Sequence, residues 1–198
     1  MGRYNNFSVN NINSIKSNGE TNNGFSVGAG GFYYDTLAFN NISVENIKEI
    51  SSINTKGKSY SGGFAGYWWT AQQSILNNII VSDIGNIISY SDTDDSYAGG
   101  FIGRSSVDYP LQNIFVFLNP NTTITAKYTS LFSHMIEKSP NNNLKNIHIY
   151  YKDGTLSDAT EDSNIGIRHL ALMMREKMAL SISILMIITQ KIRPIKTS

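Results

Sequence analysis

The sequence predicts an all-β chain wound as a parallel β-solenoid of units of about 35 residues, and three observations carry that expectation. A block of Asn followed by alternating apolar residues occurs three times: N-F-S-V-N-N-I-N-S-I from Asn6, N-I-S-V-E-N-I-K-E-I from Asn41 and N-I-I-V-S-D-I-G-N-I from Asn78, with starts 35 and 37 residues apart. A second block follows each time, as G-A-G-G-F over Gly28–Phe32, S-G-G-F-A-G over Ser61–Gly66 and A-G-G-F-I-G over Ala98–Gly103. Asn, Ser, Ile and Gly dominate, with little Pro and no Cys, a balance that suits stacked strands joined by polar turns. Repetition in register at such a period marks a solenoid, in which each unit buries its apolar side only against its neighbours.

In the first block Phe7, Val9, Ile12 and Ile15 are apolar, and in the second Ile42, Val44, Ile47, Ile50 and Ile53 repeat the scheme. The two-residue step from Ile42 to Val44 keeps one strand face, whereas the three-residue step to Ile47 flips it unless the backbone bends. Asn11, Asn46 and Asp83 stand directly before the isoleucine in their units, and Asn and Asp tolerate the left-handed conformation such a bend requires. The rival is an amphipathic helix using 42, 46, 50 and 53; Val and Ile enrichment and the glycine-paired ends oppose it. Ile42, Val44, Ile79, Val81, Ile114 and Val116 are therefore expected inside.

Polar links of unequal length, Lys56-Gly57-Lys58 and Asp92-Thr93-Asp94-Asp95-Ser96, separate the two halves of their units, and that is where a solenoid accepts insertions. The Gly-Gly pairs permit positive φ or close backbone approach, and the phenylalanine after them requires burial. Stacking identical units places Phe32, Phe64 and Phe101 in one column. Whether a unit makes one coil or more is left open by the spacing alone.

Two fainter copies follow. Asn113-Ile114-Phe115-Val116 and Asn146-Ile147-His148-Ile149 keep the opening, and Ser130-Leu131-Phe132-Ser133 stands where Gly-Gly-Phe would fall. The solenoid is expected to span residues 1–160. Over 161–198 the character changes: no Asn follows Asn164, no Gly follows Gly166, and Met, Leu and Ile mix with Arg168, Arg175, Lys177, Lys191, Arg193 and Lys196. The apolar run from Met178 to Thr189 is shorter than a membrane span. This short tail reads either as a helical cap or interfacial helix or as a non-native end left by a reading-frame change.

A net charge of +1 and 16% charged residues leave no electrostatic footprint for nucleic acid or an anionic membrane. Without cysteine there is neither a disulfide framework nor a thiolate metal site. Met1–Phe7 hold no basic-then-apolar signal, and the repeat is already running at Asn6, so the chain is expected to begin inside a larger array whose export signal lies elsewhere.

Gly63-Phe64-Ala65-Gly66 and Gly100-Phe101-Ile102-Gly103, each preceded by a further glycine, resemble the GLUG motif of secreted bacterial surface proteins. With the Asn-Ile-x-Val blocks, residues from about 5 to 155 look like part of a filamentous-haemagglutinin-like or autotransporter adhesin passenger. The resemblance implies a right-handed parallel β-helix, display on the bacterial surface or secretion, and attachment to a host-cell surface protein or glycan. It also implies stacking on neighbouring repeats of a larger parent chain, and contact with the membrane only through a translocator domain missing from this chain. The chain departs from the pattern where Tyr34 replaces the closing glycine of the first copy and where the fourth copy lacks glycines.

No cofactor, metal site or catalytic set emerges from the residues. Gly24-Phe25-Ser26-Val27-Gly28 fits the nucleophile-elbow pattern but leads into Gly-Gly-Phe rather than a helix. His134, His148 and His169 lie at no metal-ligand spacing. Asp92, Asp94 and Asp95 are the best residual hint of chemistry, whether for a hard cation or for acid and base work on a polysaccharide; a solvated turn is the plainer reading. Tyr67, Trp68 and Trp69 include at least one ring that cannot face a strand's core side, so these three and the three aspartates are the expected partner contacts. A non-catalytic attachment fragment is thus the leading expectation, beside a β-helical polysaccharide enzyme and an inactive truncated product.

Overall fold

The computed structural model describes residues 2–20, 30–33, 37–68, 74–105, 110–135 and 144–151. The tail from 161 onward, Trp69 and the Gly24–Gly28 segment lie outside these residues. All described elements are strands. Five of them stack in one parallel sheet: β1 (Gly2–Gly19), β3 (Leu37–Asn54), β6 (Ile75–Ser91), β9 (Leu111–Thr125) and β12 (Leu144–Tyr150), in that order. Two narrower parallel sheets complete the coils. One holds β4 (Ser59–Gly62), β7 (Ser96–Gly99) and β10 (Tyr128–Ser130). The other holds β2 (Gly30–Tyr33), β5 (Ala65–Trp68), β8 (Ile102–Ser105) and β11 (Ser133–Met135).

The register settles the coil length. Phe7 pairs with Ile42 and Ile42 with Ile79, so each sequence unit is one turn of the solenoid, running from long strand to short strand to short strand. The chain is a parallel β-solenoid, and the helical alternative for the Asn-Ile blocks is excluded.

The long strands are not straight. Asn6 and Asn11, Asn41 and Asn46, and Asn78 and Asp83 all adopt positive φ between 52° and 58°, as do Asn113 and Asn146. The bend expected at Asn11, Asn46 and Asp83 is present, and the Asn that opens every block bends as well. These bends turn Ile42, Val44, Ile47 and Ile50 toward one interior, all at 2% exposure or less. Ile79, Val81, Ile114 and Val116 lie in the same columns, also fully buried. The carboxamides at the bends bridge successive coils: Asn41 Nδ2 donates to Asn6 Oδ1 at 2.7 Å, Asn46 Nδ2 to Asn11 Oδ1 at 2.6 Å and Asn78 Nδ2 to Asn41 Oδ1 at 2.5 Å.

The Gly-Gly-Phe block closes each coil. Phe64 and Phe101 stack at 5.2 Å and Phe101 and Phe132 at 5.0 Å, all three rings buried. The column therefore runs through Phe132, the copy without glycines. Phe32 pairs with Tyr67 in the backbone register, because the first Gly-Gly-Phe sits three residues late relative to its coil: Gly30, not Tyr33, is opposite Ala65.

The two glycines of each pair answer to different carbonyls. A Cβ on Gly63 would lie 2.3 Å from Gly100 O, and one on Gly100 would lie 2.2 Å from Leu131 O, so the second glycine makes room for the carbonyl of the following coil; a Cβ on Gly62 or Gly99 would lie 2.2 Å from Ala65 O or 2.0 Å from Ile102 O, across the arch of the same coil. Among the described residues no strand follows β10 or β11 in its sheet, and there Leu131 takes the glycine's place.

Candidate functional site

The sequence singles out two places, the turn at Asp92–Ser96 and the aromatic run Tyr67–Trp69. The structure separates their members by burial and by partner.

The turn residues are arranged by local hydrogen bonds. Ser91 Oγ donates to Gly57 O at 2.6 Å and accepts from the Asp94 N–H at 3.0 Å, and Asp94 Oδ1 accepts from the Asp95 N–H at 2.7 Å. Such side-chain to backbone bonds are why Ser and Asp populate turns. Asp92 and Asp94 are exposed. Asp95 is half-buried: its Oδ1 meets Lys127 Nζ at 2.6 Å and its Oδ2 accepts from Tyr97 Oη at 3.1 Å. The Lys127 ammonium and the Tyr97 hydroxyl hold the Asp95 carboxyl below the usual aspartate range, with slight burial opposing them. Asp92 lies beside Tyr90 instead, and its hydrogen bond and charge push that phenol's pKa up. The three carboxylates are thus in three settings. Among the described residues no group of three or more His, Cys, Asp or Glu is placed to hold a metal.

The aromatic run divides as well. Trp68 has no exposed surface; it packs edge-on to Phe39 at 5.5 Å and against Phe64 at 5.9 Å. That removes it from the expected contacts and makes it a core residue. Tyr67, next in sequence, faces the other way, half-buried and stacked on Tyr60 at 4.8 Å.

Around Tyr67 lies a cluster that the repeat motifs do not mark. Tyr60, Tyr97 and Tyr128 stack from coil to coil at 5.5 and 5.0 Å on the strands preceding the Gly-Gly-Phe arch. Across from them, on the strands that follow the arch, Arg104 lies 4.4 Å over the Tyr97 ring, and His134 lies 5.2 Å from Tyr97 and 5.5 Å from Tyr128. Burial pushes the phenols of Tyr60 and Tyr97 up to about 12, against the opposing charge of Arg104. The signal was legible: S-Y-S-G, S-Y-A-G and K-Y-T-S place a tyrosine two residues before Gly62, Gly99 and Ser130.

A second set of stacked rings faces outward from the long sheet. Phe115 and His148 stack at 5.1 Å and Phe117 and Tyr150 at 4.7 Å, both pairs within 2° of parallel. In the earlier coils the same columns hold Ser8, Ser43 and Ile80, and Asn10, Glu45 and Ser82. The outer wall therefore runs from polar to aromatic along the solenoid.

Parallel rings about 5 Å apart spend their faces on each other, so both stacks present ring edges, not flat platforms. The charged turns differ. Lys56 from one coil, Asp92 and Asp94 from the next and Lys127 from the third all project at the corner after the long strand, all exposed. No family model, curated protein or solved structure matches the chain.

Proposed function

We propose that this solenoid is a non-catalytic attachment module of a bacterial surface-exposed or secreted adhesin, with a host-cell surface protein or glycan as its partner. The observation that carries this reading is the corner row of turns. Three successive coils each add one exposed turn at the same edge, and the charge alternates from Lys56 to Asp92 and Asp94 to Lys127. Rigid stacking spaces these turns by about 5 Å per coil, which makes a long, chemically varied stripe from short variable loops. The GLUG-like Gly63-Phe64-Ala65-Gly66 and Gly100-Phe101-Ile102-Gly103 supply the bacterial-surface part of the reading.

Two site assignments change with the geometry. Trp68 is a core residue, so its truncation tests folding and not attachment. Asp95 is held by Lys127 and Tyr97, which weighs against the polysaccharide-enzyme reading because that reading needs the aspartates to act together.

The test is binding of the full chain to host cells and to arrayed glycans. Combined charge changes at Lys56, Asp92 and Asp94 are expected to weaken binding at least tenfold, while the circular dichroism spectrum stays unchanged. Release of reducing ends from an acidic polysaccharide, lost on changing Asp92 and Asp94 to Asn, would defeat the proposal.

A further inference from the structure

Arg104 is set into the wall of the solenoid without a carboxylate to answer it. It stands on β8, the strand that follows the Gly-Gly-Phe arch, and is half-buried. Its guanidinium lies 4.4 Å over the Tyr97 ring, and its charge and a hydrogen bond act on the Tyr60 hydroxyl. Its Nε is buried with no hydrogen-bond partner. Among the described residues the ion pairs are Lys16 with Glu49 and Lys127 with Asp95, so no carboxylate is paired with Arg104. A guanidinium is a planar fork of N–H donors matched to oxyanions. One aromatic face and one neutral hydroxyl leave most of that fork unused, with no formal charge set against it.

The neighbours favour an anion in that place. In the backbone register Tyr67 pairs with Arg104 and Arg104 with His134, so one column on successive coils holds a phenol, a guanidinium and an imidazole. All of them are half-buried and therefore partly open to solvent. Tyr128, 37% exposed, stands 5.5 Å across from His134. Of the carboxylates on this side, Asp95 already has Lys127 Nζ on one oxygen and the Tyr97 hydroxyl on the other. Asp94 is exposed, and its effect on Tyr60 is smaller than that of Arg104. Aromatic walls lower the local dielectric and strengthen the pull of a fixed charge, whereas a fully exposed lysine such as Lys56 gains little from a partner.

We infer that Arg104 is the centre of a binding site for an oxyanion, carboxylate or sulfate, carried on a sugar chain, with Tyr67 and His134 flanking the bound group. The sugar rests on the attachment reading above; the anion rests on the unanswered guanidinium. The site uses none of the corner charges of Lys56, Asp92 and Asp94.

The probes are an oligogalacturonate, which carries carboxylates alone, a dextran sulfate of matched length, which carries sulfate esters alone, and unmodified dextran, each added to the full chain. At least one charged probe is expected to bind saturably, and which one does so names the oxyanion; dextran is expected not to bind. In the unaltered chain, saturation with that probe should slow phenylglyoxal modification of Arg104 severalfold and leave Arg3 unaffected, as read by peptide mapping. Arg104→Gln should weaken binding about tenfold or more, and Arg104→Lys, which keeps the charge but loses the fork, by less. The combined changes at Lys56, Asp92 and Asp94 should alter it by less than about twofold. Equal binding of dextran, no binding of either charged probe, an unchanged rate of Arg104 modification, or an Arg104→Gln chain that binds as before would overturn the inference. Loss of probe binding that follows the corner changes instead of Arg104 would overturn it too, and would leave the attachment reading standing. Arg104-dependent binding of a probe by a chain that attaches to no host cell would instead defeat the attachment reading and keep the site.

Discussion

The long sheet and the Gly-Gly-Phe arch repeat with the same period but enforce it differently. In the long sheet the repeating constraint is a left-handed backbone at Asn41 and Asn46 and their equivalents, and Asp83 substitutes for Asn without loss of the bend. In the arch the constraint is the absence of a side chain, because a backbone carbonyl, of the next coil at Gly63 and Gly100 and of the same coil at Gly62 and Gly99, occupies the space where a Cβ would be. A conformational requirement admits a second residue type at modest cost; a steric one admits none while the next coil is present. This is why the Asn blocks remain readable in Asn113 and Asn146 after the second glycine has given way to Leu131.

The comparison breaks most sharply at the aromatic column that both halves share. Phe101 stacks between Phe64 and Phe132 with no exposed surface, so Phe101→Ala is expected to cost about 3 to 5 kcal/mol in chemical denaturation. A loss below about 1 kcal/mol would mean that the column does not set the register.

Next in size is Gly99→Ala. Its Cβ would lie 2.0 Å from Ile102 O and 2.8 Å from Phe132 O, and backbone cannot yield as a flexible side chain would. The expected loss is about 1 to 3 kcal/mol, read from the shift in denaturation midpoint; a neutral result would show that the arch is not steric.

In the long sheet the discriminating pair is Asn46→Ala and Asn46→Gly. Both remove the 2.6 Å bond to Asn11, but only alanine opposes the φ of 52°. Alanine should cost about 1 to 2 kcal/mol and glycine less than about 1 kcal/mol. Equal losses would assign the column to its amide ladder instead of its backbone.

The smallest effect concerns pH. Tyr60 and Tyr97 are raised to about 12 from a usual 10.0. A raised phenol contributes stability that is complete below the ordinary value and is lost as pH climbs through the folded one. Stability should therefore fall between about pH 10 and pH 12, and the fall should shrink in Tyr97→Phe. Ultraviolet titration at the phenolate band checks it; a tyrosine step centred at the ordinary value for both groups would contradict their burial.

Much of this was readable from the repeat. Ile42, Val44, Ile79, Val81, Ile114 and Val116 are the core residues that alternation selects, and the bends at Asn11, Asn46 and Asp83 follow from a three-residue step that only a local reversal can accommodate. The first Gly-Gly-Phe misled, because similarity of letters aligned Phe32 with Phe64 while pairing sets it opposite Tyr67. Register belongs to the whole coil, and a short glycine motif has no means of reporting it. Trp68 was misjudged for a related reason. Beyond Gly66 the simple two-residue alternation fails, since Ala65 and Trp68 both end up buried with Tyr67 turned outward. The tyrosine stack was present as letters but invisible as a site, because its partners Arg104 and His134 come from strands across the arch.

The register of the long sheet carries a consequence for how such a gene changes length. Since Asn41 and Asn78 occupy equivalent bends, a recombination that removes residues 42–78 joins Asn41 to Ile79 and sets Ile79 over Phe7, Val81 over Val9 and Ile84 over Ile12. Every column closes again and one turn of 37 residues is gone. The reverse exchange adds a turn with its own corner loop. The length of the stripe and the order of its loops can thus vary by unequal crossing-over in single steps, whereas a deletion that does not join equivalent bends leaves the amide ladder out of phase.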